Sequence, residues 1–262
     1  MTEENTNIRK KKSRFLNSIE ILQEYVLMVV SLFGTLGKIW KNRKEIISEM
    51  YYIGAQSFPI IFIGGLFIGI ILSLEVGYRF ASFGAKSMVG RTVSLGVVRE
   101  LGPVITGLLL ASRTGSKNTS EIGSMILSEQ VDAMRAFGTN PIERLVMPRS
   151  VASIIMFLPL TLIADFIAIA GGMLSSYYIL FIDTSVFWHT AVYGLLPKDL
   201  FVGFMKPIFF GFFISTISCF YGLRTSGGSV GLGRSLINSV VMSSMVILIV
   251  DFIFTKVVWE IM

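Results

Sequence analysis

The sequence predicts an all-α integral membrane protein: an N-terminal interfacial helix, five transmembrane helices, and a capped amphipathic helix on the cytoplasmic side between the second and third spans. Three observations predict it. Hydrophobic residues make up 53% of the 262 and charged residues only 15%, with mean hydropathy +0.70, too apolar for an ordinary soluble domain. Five runs approach the roughly 20 apolar residues that a helix needs to cross hydrocarbon. None shows the ten-residue alternation of a membrane β-barrel, so helices satisfy the backbone.

The chain divides into a basic tail at 1–14, an interfacial region at 15–48 and a five-span unit at 49–262. The tail carries Arg9, Lys10, Lys11 and Lys12. The next apolar stretch, 25–37, has 13 residues, lies between Glu20 and Glu24 on one side and Lys38, Lys41, Arg43 and Lys44 on the other, and is too short to span. Residues 15–40 therefore read as a helix in the interface, with basic flanks near anionic headgroups. A signal peptide is the rival reading, but no small-residue cleavage site comes after it.

Span one lies between Glu49 and Glu75, with 25 uncharged residues between them. Span two, about 92–112, holds Arg99 and Glu100. Span three, 150–182, holds Asp165 and would be about 50 Å long as a helix, so it must tilt, kink or project. Span four, 200–223, includes Lys206, and span five, 235–257, includes Asp251 and ends near Lys256. With the N-terminus inside, sixteen Lys and Arg fall in cytoplasmic segments and five outside. That asymmetry places the N-terminus in the cytoplasm and the C-terminus outside.

Between spans two and three lies "EIGSMILSEQVDAMRAFGTNPIERLVMPR", residues 121–149, which concentrates seven charges. At 100° per residue Glu121, Ser124, Ser128, Asp132 and Arg135 fall within about 80° of one another, and Ile122, Met125, Ile126, Ala133 and Phe137 share another face. The pattern predicts one amphipathic helix over 119–138, with Asn118 in a capping box with Glu121 and a stop at Gly138 and Pro141. A second helix is expected to start with Asn140 as N-cap, Pro141 at the first position and Glu143 at N3. Glu129 and Gln130 break the pattern on the apolar side and should meet a partner there. Composition alone leaves open whether this helix docks on another subunit or lies along the membrane surface.

Charged groups within the spans cost about 2.5–3.5 kcal/mol each on insertion scales, so Arg99, Glu100, Lys206 and Asp251 should face one another or a water-filled cavity. Two readings stay open: a salt-bridge lock between spans, and a gate near the outward mouth of a lipid cavity where Arg99 or Lys206 meets a lipid phosphate. Gly65 and Gly69 form a G-x-x-x-G in span one, which permits close helix approach within the protomer or at a dimer seam. No G-x-x-x-x-G-K-[ST] occurs, and the Gly227, Gly228, Gly231 and Gly233 cluster reads as a flexible turn. Single residues His189 and Cys219 cannot make a metal site or an intrachain disulfide.

"RELGPVITGLLLASRTGS", together with the 121–149 stretch after it, resembles the MlaE (YrbE) family of ABC-transporter permeases, the membrane subunits of MCE-type lipid transport systems. The resemblance covers about residues 15–262 and takes in the closing "SVVMSSMVILIVDFIFT". It implies a homodimeric, non-catalytic permease in the bacterial inner membrane that moves phospholipids or related lipids between the inner and outer membranes. It implies two copies of a cytoplasmic ATPase, which uses ATP and Mg while this chain binds no cofactor. An MCE-domain lipid-binding protein on the outer side and a small STAS-like accessory protein on the ATPase complete the expected partners; nucleic acid is not among them. By the same resemblance 121–138 is the coupling helix, so Glu121, Ser124, Ser128, Glu129, Gln130, Asp132 and Arg135 contact the ATPase. A secondary transporter or channel acting without an ATPase is the alternative. It would need no capped cytoplasmic helix, and the spans show no inverted repeat.

Overall fold

Long apolar runs leave the backbone no partner but itself, and the chain answers with helices almost throughout. The computed structural model describes residues 2–261, and the side chains of residues 19–258 and Glu260. The side chains of the basic tail, Arg9 to Lys12 included, lie outside the described residues. The helices are α1 (Thr2–Thr35), α2 (Arg43–Ser82), α3 (Val89–Gly96), α4 (Gly102–Leu110), α5 (Ser116–Leu127), α6 (Gln130–Ala136), α7 (Met147–Leu180), α8 (Thr184–Tyr193), α9 (Pro197–Leu223) and α10 (Gly228–Ile261). Among the described residues six helices are long and apolar enough to cross a membrane by length and composition, and one of them is Ile19–Lys38. Residues 25–37, expected to be too short to span, are only the most apolar part of a helix that is long enough to do so.

Chain direction sorts the bundle into two ends. The lower end gathers the chain around residues 36–49, 127–149 and 223–228; the upper end gathers 82–89 and 180–197. Helices α2 and α7 run parallel and make the most extensive contact in the molecule. Their register is set by glycine. A Cβ on Gly65 would lie 2.8 Å from the Ala164 carbonyl oxygen, and one on Gly69 would collide outright with that of Ala168. The G-x-x-x-G is thus a packing seam within the protomer, where missing side chains bring two backbones together.

Helix α1 does not follow the bundle axis. Glu24 pairs with Arg224, just past the lower end of α9, and Lys38 pairs with Glu143 at 2.6 Å, just before α7. Between these tethers Tyr25 Oη lies 2.8 Å from Thr216 Oγ1 and Phe33 packs on Phe212. Both ends of the segment 24–38 are therefore held at the lower end.

The second span is one helical column from Val89 to Leu127, interrupted by two π-helical turns, Val97–Leu101 and Ala111–Gly115. A third π turn, Ile142–Val146, leads into α7. The expected capping box at Asn118 is not formed: Asn118 is buried in mid-helix, and its Nδ2 donates to Ser218 Oγ at 3.3 Å. The single helix expected over 119–138 is two. It breaks at Glu129, which adopts φ 58°, a left-handed conformation uncommon for a residue with a side chain. Asn140 does cap the π turn 142–146, accepting from the Ile142 N–H at 2.9 Å. Turn geometry in the glycine cluster is confined to Gly227 and Gly228, at φ 82° and 68°, while Gly231 and Gly233 continue α10. The loop after α7 folds into α8, which the run lengths do not predict. Its N-cap Asp183 accepts from the Ser185 N–H at 2.7 Å, and this bond holds its carboxyl below the usual range.

Gly69→Val is expected to destabilise the protein by about 1–3 kcal/mol through overpacking against Ala168. Gly34→Ala, with nothing within 4 Å, should be neutral or slightly stabilising. Thermal unfolding of both variants in the same detergent checks the contrast.

Candidate functional site

Two groups of charges mark the bundle at different depths. The upper one centres on Lys206 in α9, which is fully buried. Its ammonium donates to Glu100 Oε2 at 2.6 Å, to the Arg99 carbonyl at 2.9 Å and to Thr255 Oγ1 at 3.0 Å. Asp251 Oδ1 lies 2.8 Å away, so four acceptors crowd an ammonium that has three protons. Three of the four charges picked from the sequence thus meet directly.

The fourth, Arg99, joins through its backbone, while its guanidinium pairs with Asp199 Oδ1 at 3.2 Å. Asp199 was missed. It sits three residues into α9 and also accepts from the Leu196 N–H at 2.9 Å, so in the sequence it looks like a loop charge capping a helix start. With Asp199 counted, three carboxylates face two cations and the group carries one excess negative charge. At 1.5 Å per residue Lys206, Asp251 and Glu100 all lie roughly 13–17 Å from the upper ends of their helices. Of Arg99 and Lys206, the two residues expected to meet a lipid phosphate, Lys206 is enclosed and its ammonium is held by Glu100, Asp251, Thr255 and the Arg99 carbonyl. Glu100, with a side chain 37% exposed, is the member that faces open space. It sits in the π turn Val97–Leu101, a distortion common at functional sites because it turns side chains out of helical register.

The lower group ties α2, α5 and α7 together, and sequence reasoning did not assemble it. Arg149, 6% exposed, places its guanidinium 2.7 Å from Glu121 Oε2 and 3.4 Å from Glu49 Oε1. Lys117 pairs with Glu49 at 2.8 Å and with Glu121 at 3.6 Å, and covers the Tyr52 ring at 4.0 Å. Two cations alternate with two carboxylates, which offsets much of the burial cost. Next to them Arg144 pairs with Glu45 at 2.9 Å and donates to Asn42 Oδ1 at 2.9 Å. In the sequence Glu49 marks only the border of span one. Arg149 is one of the seven concentrated charges, but no periodicity pairs it with a residue in another helix.

Below this group the chain projects. Ser124, Leu127, Ser128, Glu129, Gln130, Asp132, Ala133, Arg135, Ala136 and Phe137 are exposed, with Phe137 at 87%. Ile122 and Val131 anchor the two short helices inside. Asp132 and Arg135 pair at 3.0 Å, and Ser128 Oγ donates to the Ser124 carbonyl at 2.8 Å. Glu129 and Gln130 meet no side-chain partner among the described residues. Glu121 stands apart from the rest of the predicted contact set, because its carboxylate is engaged by Arg149 and Lys117. The segment is thus an exposed apex bolted to the membrane helices through one ion-paired carboxylate. Among the described residues no cluster of His, Cys, Asp and Glu could hold a metal ion. An apolar groove of about 660 Å³ runs between α2 and α7, with Met50, Phe58, Met156 and Ile163 among its lining.

Replacing Lys206 by Met is expected to cost about 3–5 kcal/mol, because it leaves Glu100 and Asp251 without their buried counter-charge. The triple variant Lys206→Met, Glu100→Gln, Asp251→Asn should regain much of that loss. Unfolding midpoints in detergent decide it.

Comparison with known proteins covers most of the chain. The family model Permease MlaE matches residues 46–257. A "Probable ABC transporter permease protein" of Rickettsia felis is 38% identical over 216 residues, 82% of this chain and 83% of the relative. The "Intermembrane phospholipid transport system permease protein MlaE" of Haemophilus influenzae is 35% identical over 232 residues, 87% of this chain and 89% of the relative.

Proposed function

The chain belongs to the MlaE permease family, and we propose that it is the membrane subunit of an ABC transporter that moves phospholipids or related lipids between the inner and outer membranes. The observation that carries this reading is the apex at 124–137, exposed in polar and apolar residues alike and linked to the spans through Glu121, Arg149, Lys117 and Glu49. A surface of that kind suits insertion into a partner's groove, and the ion pairs behind it pass a push on the apex to α2 and α7. The partner is a cytoplasmic ATPase that uses ATP and Mg. Glu129, Gln130, Asp132, Arg135 and Phe137 form the contact, with Ser124 and Ser128 at its edge and Glu121 as the lever at its base. Twofold assembly brings two copies of each subunit together. An MCE-domain protein meets the upper end, and a STAS-like protein sits on the ATPase.

The lower end is cytoplasmic in this reading, and five helices cross. Segment 19–38 stays in the cytoplasmic interface, because both its tethers, Glu24 to Arg224 and Lys38 to Glu143, reach the same end of the bundle. The upper cluster locks the π turn before α4 to α9 and α10 through Lys206 and leaves Glu100 facing the lipid path, where a change in helix spacing would open or close it. The sequence similarity to a phospholipid transport permease supports the substrate class.

Charge reversal at Glu129 and Asp132 is expected to lose a co-purifying P-loop ATPase while the stability of the permease stays within about 1 kcal/mol of wild type, as for exposed sites generally. Retention of the ATPase by that variant would refute the docking surface. Single-cysteine labelling in right-side-out vesicles, in a Cys219→Ala background, should leave residues 20 and 227 both protected from an impermeant reagent. Labelling at residue 20 alone would make Ile19–Lys38 a sixth crossing.

A further inference from the structure

Arg113, at the lower end, belongs to neither group. Arg113 lies in the π turn Ala111–Gly115, is exposed, and has no ion partner among the described residues. It lines a pocket of about 190 Å³ between α2 and α5, shared with Tyr52, Gln56, Ser57, Thr114 and Lys117. Lys117 is already balanced by Glu49 and Glu121, so the pocket carries the full charge of Arg113 uncompensated. Ser57 adds a second, independent sign. It is 1% exposed, yet its hydroxyl has no hydrogen-bond partner, although a serine in a helix can donate to its own backbone. A buried hydroxyl left without a partner is destabilising unless a ligand completes it.

We propose that this pocket holds the phosphate of a phospholipid from the cytoplasmic leaflet, an entry site distinct from the Lys206 cluster and resting on the transport reading above. The Arg113 guanidinium supplies charge-assisted donors to phosphate oxygens, and the Ser57 hydroxyl, with the Gln56 amide, supplies neutral ones. The face of α2 above the pocket identifies the ligand as a lipid. Gln56, Ile63 and Phe67 fall within about 40° of one another on that helix, and Ile63 and Phe67 are 55% and 56% exposed. They would run alongside the acyl chains of a lipid whose phosphate sits at Arg113. Arg113 stands about 20 Å along the column from Glu100 at the helical rise, which compares with the roughly 15 Å depth of one leaflet. A lipid held at Arg113 therefore directs its tails toward the exposed Glu100.

The test uses the full chain in mild detergent, titrated with phosphatidylglycerol and read by native mass spectrometry, alongside Arg113→Gln, Arg113→Lys and Ser57→Ala. The wild type should hold phosphatidylglycerol, with about a tenfold weaker Kd in Arg113→Gln, a smaller loss in Ser57→Ala, and most of the affinity kept in Arg113→Lys. Unchanged thermal midpoints exclude misfolding as the cause. Unaltered lipid binding by Arg113→Gln overturns the site while leaving the transport reading intact. Displacement of the lipid by millimolar inorganic phosphate would make the ligand a free anion and overturn the lipid assignment. Failure of the wild type to bind any phospholipid would count against both this site and the transport reading.

Discussion

A charge cannot be left alone in hydrocarbon, and the bundle is organised by how it meets that constraint. Lys206 is the strictest case. Its ammonium is buried completely, and its partners come from the π turn before α4 and from α10. Three helices distant in sequence are thereby fixed at one depth, since moving any of them strands a charge at several kcal/mol. The pair Arg99 and Asp199 repeats the arrangement one step nearer the upper end. At the lower end Glu49, Lys117, Glu121 and Arg149 do the same for α2, α5 and α7. The glycine seam between α2 and α7 supplies the dispersion contacts that the bilayer, itself apolar, gives no hydrophobic reason to form.

This division gives the molecule a mechanical logic. Rigid columns carry charge clusters at two levels, and the apex below is bonded to the lower one. Each of the three π turns carries charged residues: Arg99 and Glu100, Arg113, and Glu143 and Arg144. A π turn interrupts the i to i−4 ladder, so it is where a long helix can most readily change its twist. The charges sit where the columns can yield. In the proposed function a displacement at the apex would travel through Glu121 and Arg149 into α7, and along the column 89–127 with its π turns to the one that carries Glu100.

Much of this was legible in the sequence, for identifiable reasons. The five main spans followed from run length, because the cost of unsatisfied backbone in lipid leaves helices as the answer. The clustering of Glu100, Lys206 and Asp251 followed from their equal depth and from the cost of isolated charge. Asp199 escaped because a carboxylate at a helix start has a local explanation that hides a tertiary one. The break at Glu129 escaped because nothing in its residue type demands a positive φ; it lies between two short helices anchored separately by Ile122 and Val131. Asn118 was misread as a cap because capping residues are recognised by spacing, whereas its surroundings are the buried Ser218 on α9. The length of α1 was underestimated because hydropathy marks only the most apolar part of a helix. The two ion pairs that hold it, at residues 24 and 38, join positions 200 and 105 residues apart, beyond any periodicity.

The proposed function requires that this bundle moves phospholipid only when a separate ATPase drives it. The most direct measurement reconstitutes the complex recovered in mild detergent into vesicles containing a fluorescent phospholipid and tracks its movement with ATP, without ATP, and with the permease alone. The expected result is movement that requires ATP and Mg and stops when the ATPase is stripped away. Equal movement by the permease alone, insensitive to ATP, would contradict it and establish a channel or secondary transporter.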